Sequence, residues 1–122
     1  MAKILLVEDN EMSRYMLSRR LERRGYEVAI AVNGHMVLAA VQNELPDLIL
    51  IDMGLPELDG WEVTCRLKAN EATQGITVIA LTAYVLSGDR ERALAAGCDD
   101  YETKPVDFKR LPNKVHTLLE QV

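Results

Sequence analysis

The sequence predicts an α/β fold, a doubly wound, five-stranded parallel sheet with five helices packed against its two faces. Short apolar runs alternate with longer helical patterns along the whole chain. Several of these runs are almost wholly apolar, which is typical of parallel strands that helices cover on both sides. Repeated strand-then-helix units joined by right-handed crossovers produce this architecture.

Five segments are strand candidates. The first, third and fourth are nearly continuous apolar runs, the second alternates more weakly, and the fifth is polar and is assigned mainly from its position. In chain order they are residues 3–7 (KILLV), 27–31 (EVAIA), 47–52 (DLILID), 77–82 (TVIALT) and 100–104 (DYETK).

A helical pattern follows each strand candidate. The first helix carries Leu17 and Leu21 one turn apart and stops at Gly25, a residue suited to a helix C-cap. The second helix ends before Pro46, which cannot continue it. The other three are marked by Val63 and Leu67, by residues 87–97, and by Leu111, Val115, Leu118 and Leu119.

Size and composition indicate one domain over residues 1–122, with 48% hydrophobic and 27% charged residues. The formal net charge of −5 argues against direct binding of nucleic acid, which favours a basic face. No apolar run is long enough to span a membrane and no signal peptide is evident, so we expect a cytoplasmic protein. Cys65 and Cys98 lie far apart without metal-ligand spacing, which indicates two buried thiols and no zinc site.

Polar side chains follow four of the predicted strands. Glu8 and Asp9 come after the first strand, Asp52 ends the third, Thr82 ends the fourth and Lys104 ends the fifth. Ligands of open α/β sheets bind outside the carboxyl ends of the strands. The sequence therefore predicts that three carboxylates, a hydroxyl and an ammonium group converge on one edge of the sheet.

These residue types suit phosphoryl transfer. Clustered carboxylates repel one another, and a divalent cation such as Mg²⁺ removes that repulsion while keeping positions for water and phosphate oxygens. Lys104 and Thr82 can hold phosphoryl oxygens, and one carboxylate can act as the nucleophile and form an aspartyl phosphate. Taken singly, Glu8–Asp9 is more typical of a solvated loop or a helix N-cap. Only the combination at the strand ends indicates a site.

Four segments carry a resemblance to a known family, and together they span nearly the whole chain. They are ILLVEDN, PDLILIDMGLPELDG, VIALTA and AGCDDYETKP. At these residues the chain resembles the receiver domain of two-component response regulators, most closely the single-domain type of the bacterial chemotaxis regulator. The resemblance implies the flavodoxin-like strand order 2-1-3-4-5.

The resemblance also implies a role for each acidic residue. Asp52 would be the phosphoacceptor. Asp9 would bind Mg²⁺ directly, with Mn²⁺ as a possible substitute, and Glu8 would act mainly through water. The backbone carbonyl of Met53 would complete the protein's share of the metal shell.

Further roles fall on the last two strands. Lys104 would pair with the phosphoryl group, and Thr82 would move toward it on activation while the aromatic switch residue Tyr101 swings inward. Ala83 matches the family's preference for a small residue beside the site. The resemblance implies a cis peptide between Lys104 and Pro105.

Three positions are informative when compared with the usual receiver-domain sequence. Gly54 and Tyr84, each two residues beyond a site residue, stand where the family tunes how fast water attacks the acyl phosphate. Gly54 has no side chain to position or block water and Tyr84 is bulky enough to shield the site, so the sequence does not predict the phosphate lifetime. In the family, the position of Pro112 lies within the first turns of the fifth helix, where a proline would remove a hydrogen bond. We predict a late start near Leu111 with Pro112 as the first helical residue. The alternative is a kinked helix.

The implied function is a phosphorylation-controlled signalling switch. It would accept phosphate from a histidine kinase or histidine phosphotransfer protein. It would then signal to a protein target through the face of the fourth helix, fifth strand and fifth helix. We expect a monomer or weak dimer and no external substrate, since the chain would catalyse only its own phosphorylation and dephosphorylation. Met1 favours a complete chain over a domain cut from a hybrid protein.

Two other functions compete with this interpretation. A phosphatase with an aspartyl-phosphate intermediate, similar to the haloacid dehalogenases, would place a second aspartate where Gly54 stands. A receiver that has lost phosphorylation would be a pure interaction module, and the five intact site residues argue against it.

Overall fold

The computed structural model describes residues 2–82, 89–104 and 106–120, which form a five-stranded parallel sheet in the order β2-β1-β3-β4-β5. This confirms the predicted fold and strand order. The strands are β1 (Lys3–Val7), β2 (Glu27–Ala31), β3 (Leu48–Asp52), β4 (Thr77–Thr82) and β5 (Asp100–Thr103). The helices are α1 (Glu11–Arg23), α2 (Gly34–Asn43), α3 (Gly60–Ala69), α4 (Asp89–Ala95) and α5 (Arg110–Glu120). Within the described residues, no helix is long and apolar enough to cross a lipid bilayer.

Two strands are one residue shorter than predicted. β3 begins at Leu48; the Asp47 N–H still donates to the Lys3 carbonyl at 2.8 Å, but the Asp47 carboxylate, rather than a backbone carbonyl, accepts the Lys3 N–H at 2.7 Å. β5 ends at Thr103, although the N–H of Lys104 still donates to the Thr82 carbonyl at 2.8 Å.

The sheet separates two hydrophobic cores. Alternate residues of each central strand enter opposite cores, because successive side chains of a strand point to opposite faces. Residues of α1 and α5 close one core, and residues of α2, α3 and α4 close the other. The first contains Ile4, Leu6, Leu48, Leu50, Ile79, Leu81, Leu17, Leu21, Leu111 and Val115. The second contains Leu5, Val7, Ile49, Ile51, Val78, Ala80, Val37, Val41, Val63, Leu67 and Ala93.

Short polar side chains set where the first three helices begin. Asn10, Asn33 and Asp59 are the N-caps of α1, α2 and α3, and each accepts a backbone N–H from the first turn of its helix. Gly25 follows the C-cap of α1 with φ of 92°, so the predicted end of this helix is confirmed. These caps fix the loops that leave the carboxyl ends of β1 and β3.

The start of α5 corrects one prediction. The helix begins at Arg110, close to the predicted start, but Pro112 is its third residue rather than its first. Asp107 explains the difference, because its carboxylate accepts the N–H groups of Lys109 and Arg110 and orders the chain two residues before Pro112. Pro112 then lies in the first turn, whose N–H groups have no partner inside the helix.

The two cysteines differ in exposure, which corrects the prediction of two buried thiols. Both are free; Cys98 is buried in the second core, whereas Cys65 is exposed on α3. Burial raises the pKa of the Cys98 thiol to about 11. An outward position on an amphipathic helix explains Cys65, because Thr64 and Val63 take the buried positions beside it.

Gly60 at the start of α3 lies directly behind the end of β3. A Cβ atom at this position would lie 2.7 Å from both the Asp52 carbonyl oxygen and the Met53 Cα atom. Both neighbours are backbone atoms and cannot rotate away. Glycine at this position therefore lets α3 approach the residue that ends β3.

We expect Gly60→Ala to lower the free energy of unfolding by about 1–3 kcal/mol, because the added methyl group overpacks a backbone contact. Urea unfolding measures the change. Gly75→Ala is the matched control, since no atom lies within 4 Å of its added Cβ. Equal stability of the two variants would contradict the close approach of α3 to β3.

The two thiols should react at very different rates. At pH 8 the Cys98 thiol, with its pKa of about 11, is almost entirely protonated and its thiolate fraction rises only as the pH approaches that value. We expect a thiol reagent at pH 8 to label one cysteine in the folded protein and both in urea. Cys65→Ser should remove the fast reaction; fast labelling of Cys98 in that folded variant would contradict its burial.

Candidate functional site

The carboxyl ends of β1 and β3 bring the three predicted acids together. Carboxylate oxygens of Glu8, Asp9 and Asp52 all lie within 4.8 Å of one another. Glu8 and Asp52 are buried, whereas Asp9 is exposed. The cluster is therefore buried on the side of Glu8 and Asp52 and open to solvent on the side of Asp9.

β3 explains why Asp52 is held firmly. All five residues of this strand are buried, and its ladders with β1 and β4 are both parallel. The Asp52 Oδ1 atom accepts the N–H of Gly54 at 3.0 Å, and its Oδ2 atom lies 3.0 Å from the Lys104 Nζ. Each oxygen thus has a donor, and the carboxylate is fixed at the edge of the sheet.

Lys104 connects two of the acids. Its Nζ lies 3.0 Å from the Asp52 Oδ2 and 3.0 Å from the Glu8 Oε2. Burial lowers the pKa of Lys104, but the hydrogen bond to Asp52 and the attraction of Glu8 outweigh burial, so the net shift is upward. The ammonium group is therefore held in its charged form between two carboxylates.

Glu8 is fully buried and incompletely bonded. Its Oε1 accepts the N–H of Asn10 at 3.1 Å. Its Oε2 lies at ion-pair distance from Lys104, yet among the described residues no group donates an aligned hydrogen bond to it. Burial raises the pKa of the Glu8 carboxyl, and the nearby Asp52 carboxylate acts in the same direction, against the opposing effect of Lys104.

Arg14 fixes the backbone that carries the acidic pair. Its guanidinium donates to the carbonyl of Glu8 at 3.0 Å and to that of Asp9 at 3.4 Å. The N–H of Arg14 also donates to the Asn10 carbonyl in the first turn of α1. The contact links α1 to the loop that presents both acids. Sequence analysis did not identify Arg14, and only its place one turn into α1 hinted at it.

The remaining predicted residues lie around this cluster. Thr82 is buried at the end of β4, one residue beyond Leu81, which pairs with Asp52. Tyr101 is half-buried in β5, packs against the second core, and accepts a hydrogen bond from Lys114 through its carbonyl. Ala83, Tyr84 and Pro105, with the predicted cis peptide, lie outside the described residues.

The Met53 carbonyl, predicted to bind the metal, lies in the loop between β3 and α3. The Met53 carbonyl accepts the N–H of Gly60 at 3.3 Å. Because a carbonyl oxygen has two lone pairs, this bond leaves one for a cation. Glu57 in the same loop has φ of 64°, a strained left-handed conformation for a residue with a side chain, and no sequence signal indicated it.

The donor set fits a hard divalent cation. Three carboxylates within reach of one another, one of them exposed, supply the oxygen ligands that Mg²⁺ prefers and leave room for water. The Glu8 Oε2 atom, buried without an aligned donor, indicates that the cluster is electrostatically incomplete without a cation or an ordered water.

Comparison with known proteins agrees with this geometry. Residues 4–116 match the family model of the response regulator receiver domain. The polar-differentiation response regulator DivK of Brucella anthropi is 38% identical over 116 residues, which cover 95% of this chain and 94% of that protein. The hybrid signal transduction histidine kinase I of Dictyostelium discoideum is 38% identical over 122 residues, which cover 94% of this chain but only 7% of the kinase.

A solved structure shows the same fold. It is the receiver domain of the sensor histidine kinase PA1611 from Pseudomonas aeruginosa, with a magnesium ion coordinated in its active-site cleft. The two chains are 35% identical, with a TM-score of 0.83 over 98% of this chain and 95% of that one. The match over residues 4–116 and the shared fold show that this chain belongs to the response regulator receiver domain family.

Proposed function

We propose that this chain is a phosphorylation-controlled switch whose phosphoacceptor is Asp52. The main support is the position of this carboxylate at the buried end of β3. It lies within 4.8 Å of carboxylate oxygens of Glu8 and Asp9 and 3.0 Å from the Lys104 ammonium group. The chain then catalyses only its own phosphorylation and dephosphorylation. A cytoplasmic location belongs to the same proposal.

The acidic cluster holds Mg²⁺ in this proposal. Asp9 and Asp52 are the direct ligands, together with the Met53 carbonyl, and Glu8 acts through water. When bound, the cation neutralises the developing charge on the phosphoryl group. The magnesium ion in the receiver domain of PA1611 supports the assignment. Mn²⁺ has the same preference for oxygen ligands and is a candidate substitute.

Asp52 acts as the nucleophile. One of its oxygens attacks the phosphorus of a phosphohistidine, a P–O bond forms, and the P–N bond to the donor imidazole breaks. The electron pair of the broken bond returns to the imidazole, which takes up a proton. β3 places the carboxylate so that little conformational entropy is lost when the donor arrives.

Lys104 and Thr82 stabilise the transferred group. Lys104 already lies 3.0 Å from Asp52, so its ammonium can pair with a phosphoryl oxygen without a large movement. Thr82 lies on the neighbouring strand and donates its hydroxyl hydrogen to another oxygen. Both contacts form only when the phosphoryl group is present, so phosphorylation changes the hydrogen bonding at the ends of β4 and β5.

The output surface is formed by α4, β5 and α5. Tyr101 on β5 is the aromatic switch residue, and Thr82 is the group that draws it inward. The phosphoryl group adds about −1.5 to −2 charges, enough to bias an element with two arrangements. The partners are a histidine kinase or histidine phosphotransfer protein as donor and a protein target downstream. The domain organisation of the relatives, a stand-alone regulator and a hybrid kinase, supports this class of partner.

We expect wild-type protein with Mg²⁺ and acetyl phosphate to gain the mass of one phosphoryl group, and Asp52→Asn to gain none. The amide cannot act as the nucleophile, although it preserves the size of the side chain. Intact-protein mass spectrometry measures the gain.

Asp59→Asn is the matched control, because asparagine caps α3 as well as aspartate does and the residue lies outside the cluster. It should be phosphorylated like the wild type. Equal gain in wild type and Asp52→Asn would assign the phosphoryl group to another residue, and no gain in either would support a phosphorylation-independent interaction module.

We expect Lys104→Met to lower the free energy of unfolding in EDTA by about 3 kcal/mol, because Glu8 and Asp52 lose the cation between them. Its rate of phosphorylation should fall by about tenfold or more, since an ammonium that stabilises the transferring group is lost. Urea unfolding and timed mass spectrometry measure the two effects. Lys104→Arg keeps the charge and should retain most of the stability; a loss as large as in Lys104→Met would contradict the electrostatic role.

A further inference from the structure

A groove between α1 and α5 is lined by cations that the phosphorylation site does not use. Its cavity volume is about 520 Å³. The lining residues are Arg20, Arg23, Arg24, Phe108, Lys109, Pro112 and Asn113. Four of these seven carry positive charge on a chain whose formal net charge is −5. The groove is therefore positively charged, although the protein as a whole is negatively charged.

The four cations lack ionic partners within the described residues. None of Arg20, Arg23, Arg24 or Lys109 lies within ion-pair distance of a carboxylate there, whereas Arg66, Arg110 and Lys114 do. Asp107 at the rim is engaged by the N–H groups of Lys109 and Arg110. Asp107 attracts Lys109 without forming an ion pair, so the described residues offset the positive charge of the groove only in part.

Helix electrostatics explain only part of this arrangement. Arg20 and Arg23 lie in the last turn of α1, where a cation interacts favourably with the helix dipole. Lys109 precedes the first residue of α5, at the positive end of that helix, where a cation is unfavourable. The dipoles therefore do not account for a lysine that lines the same groove as three arginines.

Two of the guanidinium groups are held in place before any ligand binds. The Arg20 guanidinium lies over the Phe108 ring, 5.3 Å from its centroid. The Arg24 Nη2 donates to the Asn113 Oδ1 at 2.8 Å. Fixed side chains lose less conformational entropy on binding, so these contacts prepare the groove for a ligand.

We propose that the groove between α1 and α5 binds a nucleotide with several phosphate groups. Arginine forks match phosphate oxygens in bidentate geometry, and four cations call for a ligand with more than one negative charge. Pro112 adds an apolar surface beside the cations, which suits a base or ribose. The volume is in the range of pockets that bind ligands of this size.

Isothermal titration calorimetry with ATP, in EDTA, tests the proposal on the full chain. Without divalent cations the acidic cluster does not attract phosphate, so the signal reports the groove. We expect a submillimolar Kd for the wild type, weakened by added NaCl because the attraction is ionic. Arg23→Gln/Lys109→Gln should bind about tenfold more weakly.

The control, Arg19→Gln/Arg66→Gln, removes the same charge outside the groove. Arg19 lies over Tyr15, and Arg66 pairs with Glu62. Unchanged ATP affinity in this control supports the proposal, and an equal loss would show only a general charge effect. Absence of ATP binding at millimolar concentration would overturn it.

Two further probes separate the ligand classes. Tripolyphosphate, which lacks the base and ribose, should bind more weakly than ATP. Equal affinity would show that the base and ribose make no contribution and would overturn the nucleotide assignment. A glutamate-rich peptide that binds the groove more tightly than ATP would identify a protein-docking surface instead. Chemical-shift changes in ¹⁵N-labelled protein should centre on residues 20–24 and 108–113; changes centred elsewhere would overturn the location.

Discussion

The mutual repulsion of three carboxylates, packed within 4.8 Å of one another at the end of a buried sheet, is the constraint on which the rest of this structure depends. Two of the acids are buried, and removing a charge from water costs several kcal/mol unless it is compensated. Lys104 supplies one compensating charge to Glu8 and Asp52. The compensation is incomplete, since the Glu8 Oε2 has no aligned donor among the described residues. In the proposed function, a cation, or a phosphoryl group with its cation, would complete the compensation.

The surrounding fold holds the repelling groups in place. The buried apolar residues of β3 hold Asp52 in position, and Arg14 donates hydrogen bonds to the carbonyls of Glu8 and Asp9. Gly60 lets α3 approach the end of β3. Each contact lies on a different element, so the site is assembled from α1, β1, β3, α3 and β5 together. If Asp52 is phosphorylated as proposed, this shared assembly would let the added charge alter the ends of several strands.

The sequence predicted the sheet, its helices and the convergence of Glu8, Asp9, Asp52 and Lys104, because these follow from apolar runs and from the residues at the ends of those runs. Parallel strands bring their carboxyl ends to one edge, so position along the chain was enough to place Glu8, Asp52 and Lys104 together. The sequence did not predict side-chain contacts such as the bonds from Arg14 to the carbonyls of Glu8 and Asp9, or the Asp107 carboxylate that starts α5 before Pro112. The sequence also did not predict the exposure of Cys65. The buried face of a helix is set by its packing against other elements, which a single residue does not reveal. Glu57 shows the same limit, since its strained φ depends on the loop around it.

The most direct test of the central claim is the dependence of stability on Mg²⁺. If the acidic cluster binds the cation, urea unfolding of the wild type should show a free energy of unfolding that rises with Mg²⁺, by about 2.7 kcal/mol at one hundred times the Kd. Asp9→Asn should lose most of that rise, whereas Asp47→Asn, which alters an acid outside the cluster, should keep it. A wild-type free energy of unfolding that does not change with Mg²⁺, or an equal rise in Asp9→Asn, would contradict the account.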